Sequence, residues 1–306
     1  MPSYLPLSRS VEEHHLIFRA MIRDRLSVVL LLVAVLADVL LWQRVFAGGT
    51  EPALFALDIG QGDSILSVFP DGMTILTDAG PDSSVVRQLE RVLPAGDRRI
   101  DIAVITHPQS DHFGGFADVL RRFSVGALLV SGRVADDAAA GSAWSELVDL
   151  AHERNVSLVR VGAGDRIRQG GYGADILGPD AAWLQSGELN DTGIVELLHF
   201  KEWRALLTAD IGGSAENDLI SRADVRADVL KVGHHGSRFS TSDAFLNAVA
   251  PRVALISVGA RNRYGHPAEE TLKRLAAAGA QVFRTDQDGA VRVDFRDGKL
   301  LITTQR

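Results

Sequence analysis

Residues 106–115, "THPQSDHFGG", are the stretch on which the fold turns. Two histidines and an aspartate fall within six residues, directly after an apolar run at 102–105 that reads as a strand and just before a glycine pair that opens a helical pattern. Strand ends are where divalent-metal ligands collect, because rigid loops there can aim several N and O donors at one point. Gln109 stands where a further ligand would be expected, so metal chemistry has to be argued from the rest of the chain.

Upstream, short apolar segments at 53–57, 64–69 and 74–76 are separated by "DIGQGD" (58–63) and "PDG" (70–72), a meander of strands joined by tight turns. A helical pattern covers 83–93. Downstream the periodicity predicts a helix over 113–122 and a strand at 127–130. A second series follows, with strands near 158–161, 174–177, 194–198 and 205–208, a helix at 214–221, and strands at 229–232, 253–258 and 281–284. Helices at 243–250 and 269–278 fall between the last three strands. Two β-rich halves that each carry outer helices predict an α/β (α+β) chain folded as two sheets face to face, an αββα sandwich. No linker separates the halves, so 50–306 reads as one domain.

The chain has 306 residues, of which 46% are apolar, enough for a well-packed globular body. Cysteine is absent. Disulfides and thiolate ligation are thereby excluded, and an ion must be held by His, Asp, Glu or Asn, which suits Zn, Mn or Mg. A net charge of -7 disfavours binding of a polyanion through the whole surface, so any positive field for one must be local.

The segment "LSVVLLLVAVLADVLLWQRVFA" (26–47) is long enough to cross a bilayer as one helix, which takes roughly 20 residues. Arg9, Arg19, Arg23 and Arg25 precede it, whereas no Lys or Arg lies between Arg44 and Arg87. The positive-inside rule then keeps the N-terminus in the cytoplasm. Residues 1–49 are expected to be a cytoplasmic leader and single-pass anchor in the cell membrane, with 50–306 extracytoplasmic. A cleaved signal peptide ending near 45–47 is the competing reading.

Residues of ligand type gather at the predicted strand ends. They are Asp58 and Asp63 in "LDIGQGDS", Asp78 in "TDAG", His107, Asp111 and His112 in the opening stretch, Asn190 in "LNDT", Asp210 in "LLTADIG", His234 and His235 in "DVLKVGHHGS", and His266 in "SVGARNRYGHP". Five of the nine histidines lie in these places, too many for independent packing roles. An ion held there lowers the pKa of coordinated water toward about 7, and a pair about 3.5 to 4 Å apart can also hold a leaving oxygen.

Taken together these motifs resemble the metallo-β-lactamase fold, and specifically the hydrolase domain at the C-terminal end of the ComEC/Rec2 competence proteins, over 54–295. The resemblance implies a metal site at one edge of the αββα sandwich and an extracytoplasmic nuclease acting on DNA at an uptake channel. His107 falls on the first ligand of the HxHxDH signature, Asp111 and His112 on its last two, and Asp210 on the bridging carboxylate. One of His234 or His235 takes the late histidine, with His234 favoured as ligand and His235 as proton donor or phosphate contact. Gln109 replaces the second histidine, and Asn190 stands where the third histidine of the first metal position is expected. That position keeps only His107 and Asp210, while the second keeps every ligand type. The expectation is one tight ion, Zn or Mn, and a second, weaker one recruited with substrate.

Asp63 either orients a ligand or water at the metal, or caps its turn. Arg261, Asn262, Arg263 and His266 form a basic loop suited to phosphate, with a solvated loop as the alternative. Lys231 is either a local counter-charge or an exposed lysine. Catalytic roles are expected of Asp111, His235, Asp63 and His266, and substrate contacts of Asn190 and residues 261–263. The leading function is a membrane-anchored metallohydrolase cleaving phosphodiester bonds in DNA. The same chemistry on an envelope phosphodiester or a small-molecule ester is the first rival, and a non-catalytic partner of a DNA-uptake channel the second. A single candidate span, against the many of a full competence protein, points to work beside a separate multi-span channel protein or to a role outside uptake.

Overall fold

Alternation along short strands is what sorts these side chains into layers, because successive residues point to opposite faces. The computed structural model describes Arg25 and residues 28–40, 51–133, 138–185 and 188–306. The chain divides into two compact units, Met1–Gly49 and Thr50–Arg306. In the first, residues 28–40 form a helix, α1, whose apolar side chains are exposed. Among the described residues no helix is long and apolar enough to cross a membrane, and the span expected over 26–47 lies partly outside them.

The second unit begins with β1 (Ala53–Ala56), β2 (Ile65–Val68), β3 (Thr74–Thr77), α2 (Ser84–Val92), β4 (Arg99–Ile105), α3 (Ser110–Phe113), α4 (Phe116–Arg122), β5 (Ser124–Val130), α5 (Ala138–Glu153) and β6 (Ser157–Arg160). It continues through β7 (Arg166–Gln169), β8 (Tyr172–Gly178), α6 (Ala181–Gln185), β9 (Val195–Phe200), β10 (Arg204–Leu207), α7 (Gly213–Arg222) and β11 (Val229–Lys231). It closes with α8 (Asp243–Val249), β12 (Val253–Ile256), α9 (Glu269–Ala277), β13 (Gln281–Arg284), α10 (Thr285–Asp288), β14 (Val291–Arg296) and β15 (Lys299–Thr304).

Two sheets result, one of eight strands in the order β15-β14-β1-β2-β3-β4-β5-β6 and one of seven in the order β13-β12-β11-β10-β9-β8-β7. Leu54, Ile75, Val104, Leu198 and Leu207 meet between the sheets. Their sequence neighbours Phe55, Leu76 and Ala103 face Val85, Leu89, Phe116 and Leu147 of the helices outside the first sheet. Leu197 and Leu206 face Leu219, Phe245 and Leu275 outside the second. Three apolar interfaces separate four layers, which is the expected αββα sandwich.

The structure differs from the sequence reading in several places. The predicted helix over 113–122 is broken into α3 and α4 at Gly114 and Gly115. At Gly115 a Cβ would come within 2.2 Å of the Ala79 carbonyl, so only glycine lets the chain pass that close. α5, β7, α6, α10, β14 and β15 were not anticipated. The last two also change the topology, because β14 pairs antiparallel with β1, Leu54 opposite Val293, so the C-terminal hairpin completes the N-terminal sheet.

What the fold gives the site is convergence. β3, β4 and β5 run parallel, as do β10, β11, β12 and β13. The residues that follow β3, β4, β10, β11 and β12 therefore emerge along one edge, where open α/β sheets bind ligands.

Candidate metal centre

His112 and His235 lie at the centre of the cluster, and both are fully buried. The Nδ1 atom of His112 donates to Asp78 Oδ2 at 2.7 Å, and that of His235 to the Ser257 carbonyl at 3.0 Å. These bonds fix both rings and leave each Nε2 free to face Asp210 Oδ2, at 3.4 and 3.5 Å. His235 Nε2 also lies 3.3 Å from Asp111 Oδ2. Both Nε2 atoms are buried without a hydrogen-bond partner, as is Asp210 Oδ1. An oxygen acceptor on one ring nitrogen with the other left open is the arrangement by which histidine binds a metal. The ligand atoms of Asp111, His112 and His235 fall within 4.8 Å of one another, as do those of His107, His112 and Asp210. The donor set fits a divalent cation.

Electrostatics agree with that fit. Burial opposes a charge on His112, but the carboxylates of Asp210, Asp78 and Asp111 outweigh it and hold its pKa well above the ordinary value. Burial works likewise against His235, and Asp210 and Asp63 still carry it up to about 10. Burial should raise Asp210, yet His235, His112 and Lys231 hold it well below the usual carboxylate range. Positive charge is thus stabilised at the very atoms a cation would contact.

Beneath the cluster, Lys231 is buried at the end of β11, ion-paired with Asp63 and donating to the Ala209 carbonyl at 3.1 Å. Burial disfavours its charge, but Asp63 and Asp210 hold its pKa above the ordinary lysine value. Of its two sequence readings, the counter-charge is the one observed. Asp63 is itself buried, with Oδ1 3.3 Å from His235 Nδ1 and Oδ2 3.8 Å from His112 Nδ1, so it supports the rings from below. Its approach depends on Gly62, at φ +125°, where a Cβ would meet the Asp111 carbonyl at 2.1 Å. The Asp63 N–H donates to that same carbonyl at 3.1 Å, joining the two ligand loops.

Backbone strain gathers here as well. Asp78, Ala209, His234 and His235 have φ of 59°, 46°, 47° and 51°, a left-handed region costly for residues other than glycine. The turn at 233–236 decides between the adjacent histidines. His235 is carried inward, while His234 is half-exposed with Nε2 3.9 Å from Asp210 and belongs to none of the ligand groups. His234 was expected as the ligand and His235 as the outer partner, whereas the geometry sets His235 within the ligand groups and His234 outside them.

The first metal position holds amides. His107 Nε2 lies 3.1 Å from Gln109 Oε1, Gln109 Nε2 donates to Asn190 Oδ1 at 2.7 Å, and Asn190 Nδ2 lies 3.4 Å from His234 Nδ1. Burial depresses His107 to about 3, assisted by the charge of His112. The side chains of Gln109, Asn190, Asp111, His234, Tyr264 and His266 line an open cleft of about 330 Å³ over the cluster.

On the rim, Arg261 and Arg263 are exposed. The side-chain amide of Asn262, expected as a substrate contact, is engaged within the loop. Nδ2 donates to the carbonyls of Gly259 and His266, and Oδ1 accepts from the N–H groups of Tyr264 and His266. His266 lines the cleft with Nδ1 buried and unpartnered. Burial first, then the charges of His234 and His235, lowers its pKa. Asp58 stands apart from the cluster, paired with Arg306 at 2.8 Å. Asp78, one of the residues of ligand type at the strand ends, anchors His112.

The chain is 28% identical over 267 residues to "ComE operon protein 3" of Bacillus subtilis (strain 168), covering 81% of this chain and 34% of that protein. It is 32% identical over 250 residues to "Competence protein ComA" of Neisseria gonorrhoeae, covering 79% and 32%. It spans about a third of the length of these curated relatives. Among solved structures, the metallo-beta-lactamase fold protein YhfI of Bacillus subtilis superposes with a TM-score of 0.51 at 13% identity, covering 83% of this chain and all of that one, which bears on the fold alone. Residues 57–260 match the metallo-beta-lactamase superfamily. That stretch takes in strands of both sheets, β2–β6 and β7–β12, and every member of the buried His/Asp cluster, so the chain belongs to this superfamily, as a metal-dependent hydrolase related to the competence proteins.

Proposed function

We propose that the protein hydrolyses phosphodiester bonds in DNA, holding one ion firmly on Asp111, His112, Asp210 and His235. The observation that carries the ion's position is the pair of unpartnered Nε2 atoms on His112 and His235, both aimed at Asp210. When bound, a divalent ion such as Zn or Mn supplies a Lewis acid and lowers the pKa of coordinated water. The amides of Gln109 and Asn190 weaken the first position, so a second ion is expected only together with substrate phosphate.

The chain's own groups supply the rest. Arg261 and Arg263 reach from the rim to the phosphate oxygens. Asp63, fixed by Lys231, keeps His112 and His235 in place. His234 and His266 face the cleft with pKa values lowered chiefly by burial, so both are neutral near pH 7. A neutral imidazole there takes a proton from the attacking water and returns one to the leaving oxygen as the P–O bond breaks.

DNA as substrate draws support from the relatives' competence role by name and from the basic rim. From the apolar run at 26–47 and the arginines that precede it, we read the unit 50–306 as extracytoplasmic, anchored through 26–47 and working beside a separate channel protein. A second reading, another ester, is favoured by the net charge of -7.

Incubation of linear DNA with the full chain and added Mn or Zn tests this. Cutting that chelator stops and that Asp111→Ala abolishes is expected. Turnover of a small chromogenic phosphodiester with no cutting of DNA under any metal would move the assignment to the second reading.

A further inference from the structure

Two aromatic rings stand in solvent in the Thr50–Arg306 unit, one lining the cleft and the other on the loop that follows the cleft's GHHG turn. Phe239 is 77% exposed and Tyr264 55%; among the described residues of this unit, the other exposed large apolar side chains are Val159 and Leu301. Tyr264 lines the cleft itself and stacks on His266, with centroids 6.0 Å apart and planes at 16°. Phe239 follows the GHHG turn by three residues. Each ring carries a guanidinium over its face, Arg238 on Phe239 at 5.8 Å and Arg263 on Tyr264 at 5.2 Å. Arg238 is near enough to His266 for its charge to bear on that ring.

These platforms are held in place. Arg274 donates to the carbonyls of Arg238, Ser240 and Thr241, which pins the loop carrying Phe239. The amide of Asn262 does the same for the loop carrying Tyr264. Among the described residues neither Arg238, Arg261 nor Arg263 forms an ion pair, so their charge is available to a ligand.

The geometry points to a rim that stacks unpaired nucleobases on Phe239 and Tyr264 while Arg238, Arg261 and Arg263 take the phosphates on either side. Every base has a π-face to offer an aromatic ring, and arginine beside that ring serves both the base and the backbone. A duplex hides its base faces within the helix. The rim therefore selects single-stranded nucleic acid, or the unpaired end of a duplex. This deepens the phosphodiesterase reading and rests on it.

The test is equilibrium binding of the full chain, in chelator so that nothing is cut, to three labelled oligonucleotides of equal length: single-stranded, abasic single-stranded and duplex. The single strand is expected to bind most tightly, with roughly tenfold lost on Phe239→Ala and again on Tyr264→Ala. Abasic affinity stays level across the variants, and Phe239→Trp keeps the discrimination. Equal affinity for the abasic strand, preference for duplex, or discrimination unchanged in the double variant overturns the proposal. So does a double variant that loses only adsorption to phosphatidylglycerol vesicles, which would mark a membrane contact. Loss of DNA cutting by the wild type would count against the phosphodiesterase reading, whereas cutting without base discrimination would count against the rim alone.

Discussion

His234 and His235 are adjacent and chemically identical, yet only one faces the ligands, and the cause is a single left-handed turn. With φ of 47° and 51° in succession, the chain swings His235 under Asp210 and leaves His234 on the cleft wall. Metal titration should separate them. His235→Ala is expected to weaken the tight ion beyond the roughly 10- to 100-fold that follows loss of an outer partner, and His234→Ala to stay within that range. Equal losses would contradict the assignment. His107, Asp111, His112 and Asp210 were legible in the sequence because one short motif and one strand end carry them. Which histidine of the pair turns inward was not, since handedness of a turn leaves no mark on two identical letters. Lys231 was half legible. Alternation from Val229 turns it toward the space between the sheets, but a lysine there has to find Asp63, a partner 168 positions away in the chain.

Strands contribute more than positions for loops, as a polar contact across the sandwich shows. Thr77 at the end of β3 donates to Glu196 on β9 at 2.6 Å, joining the two sheets directly below the metal cluster. Burial drives the Glu196 pKa up to about 7 from 4.5, against the Thr77 bond and with a small push from Asp78. A folded pKa above the unfolded one means the protonated form is favoured on folding. Its stabilising effect is complete below about pH 4.5 and is lost as pH rises through about 7, in all about 3 kcal/mol. Glu196→Gln keeps an acceptor for Thr77 and removes the charge. Urea unfolding should find variant and wild type alike near pH 4.5, and the variant more stable by about that amount at pH 8; a gap independent of pH would refute the assignment. Short strands bounded by turn residues were readable here because alternation is a local signal. The C-terminal hairpin was not, because its pairing of β14 with β1 joins opposite ends of the unit, and no local pattern encodes a partner that remote. α5 escaped because its alanine-rich start, "AAAGSAW" (138–144), has little amphipathic contrast.

At the scale of the molecule, a chain of net charge -7 repels the polyanion it is proposed to cut. Attraction must therefore come from a few cations at short range, and salt dependence measures how many. Each phosphate neutralised on a single strand contributes about -0.7 to the slope of log affinity against log salt. Contacts by Arg238, Arg261 and Arg263 predict a slope of about -2, well short of what a protein binding through a broad basic face would give. Arg261 is the clean one to remove, since Arg238 and Arg263 also lie over the aromatic rings. Arg261→Ala should flatten the slope by about 0.7 and weaken strands of different sequence alike, because a phosphate contact carries no base information. Charge added far from the cleft should leave the slope where it is, since salt at 0.15 M screens exposed charges beyond about 8 Å. If Arg261→Ala leaves the slope unchanged while a distant Glu→Lys substitution steepens it, the strand is held by the general field of the surface and not by the rim.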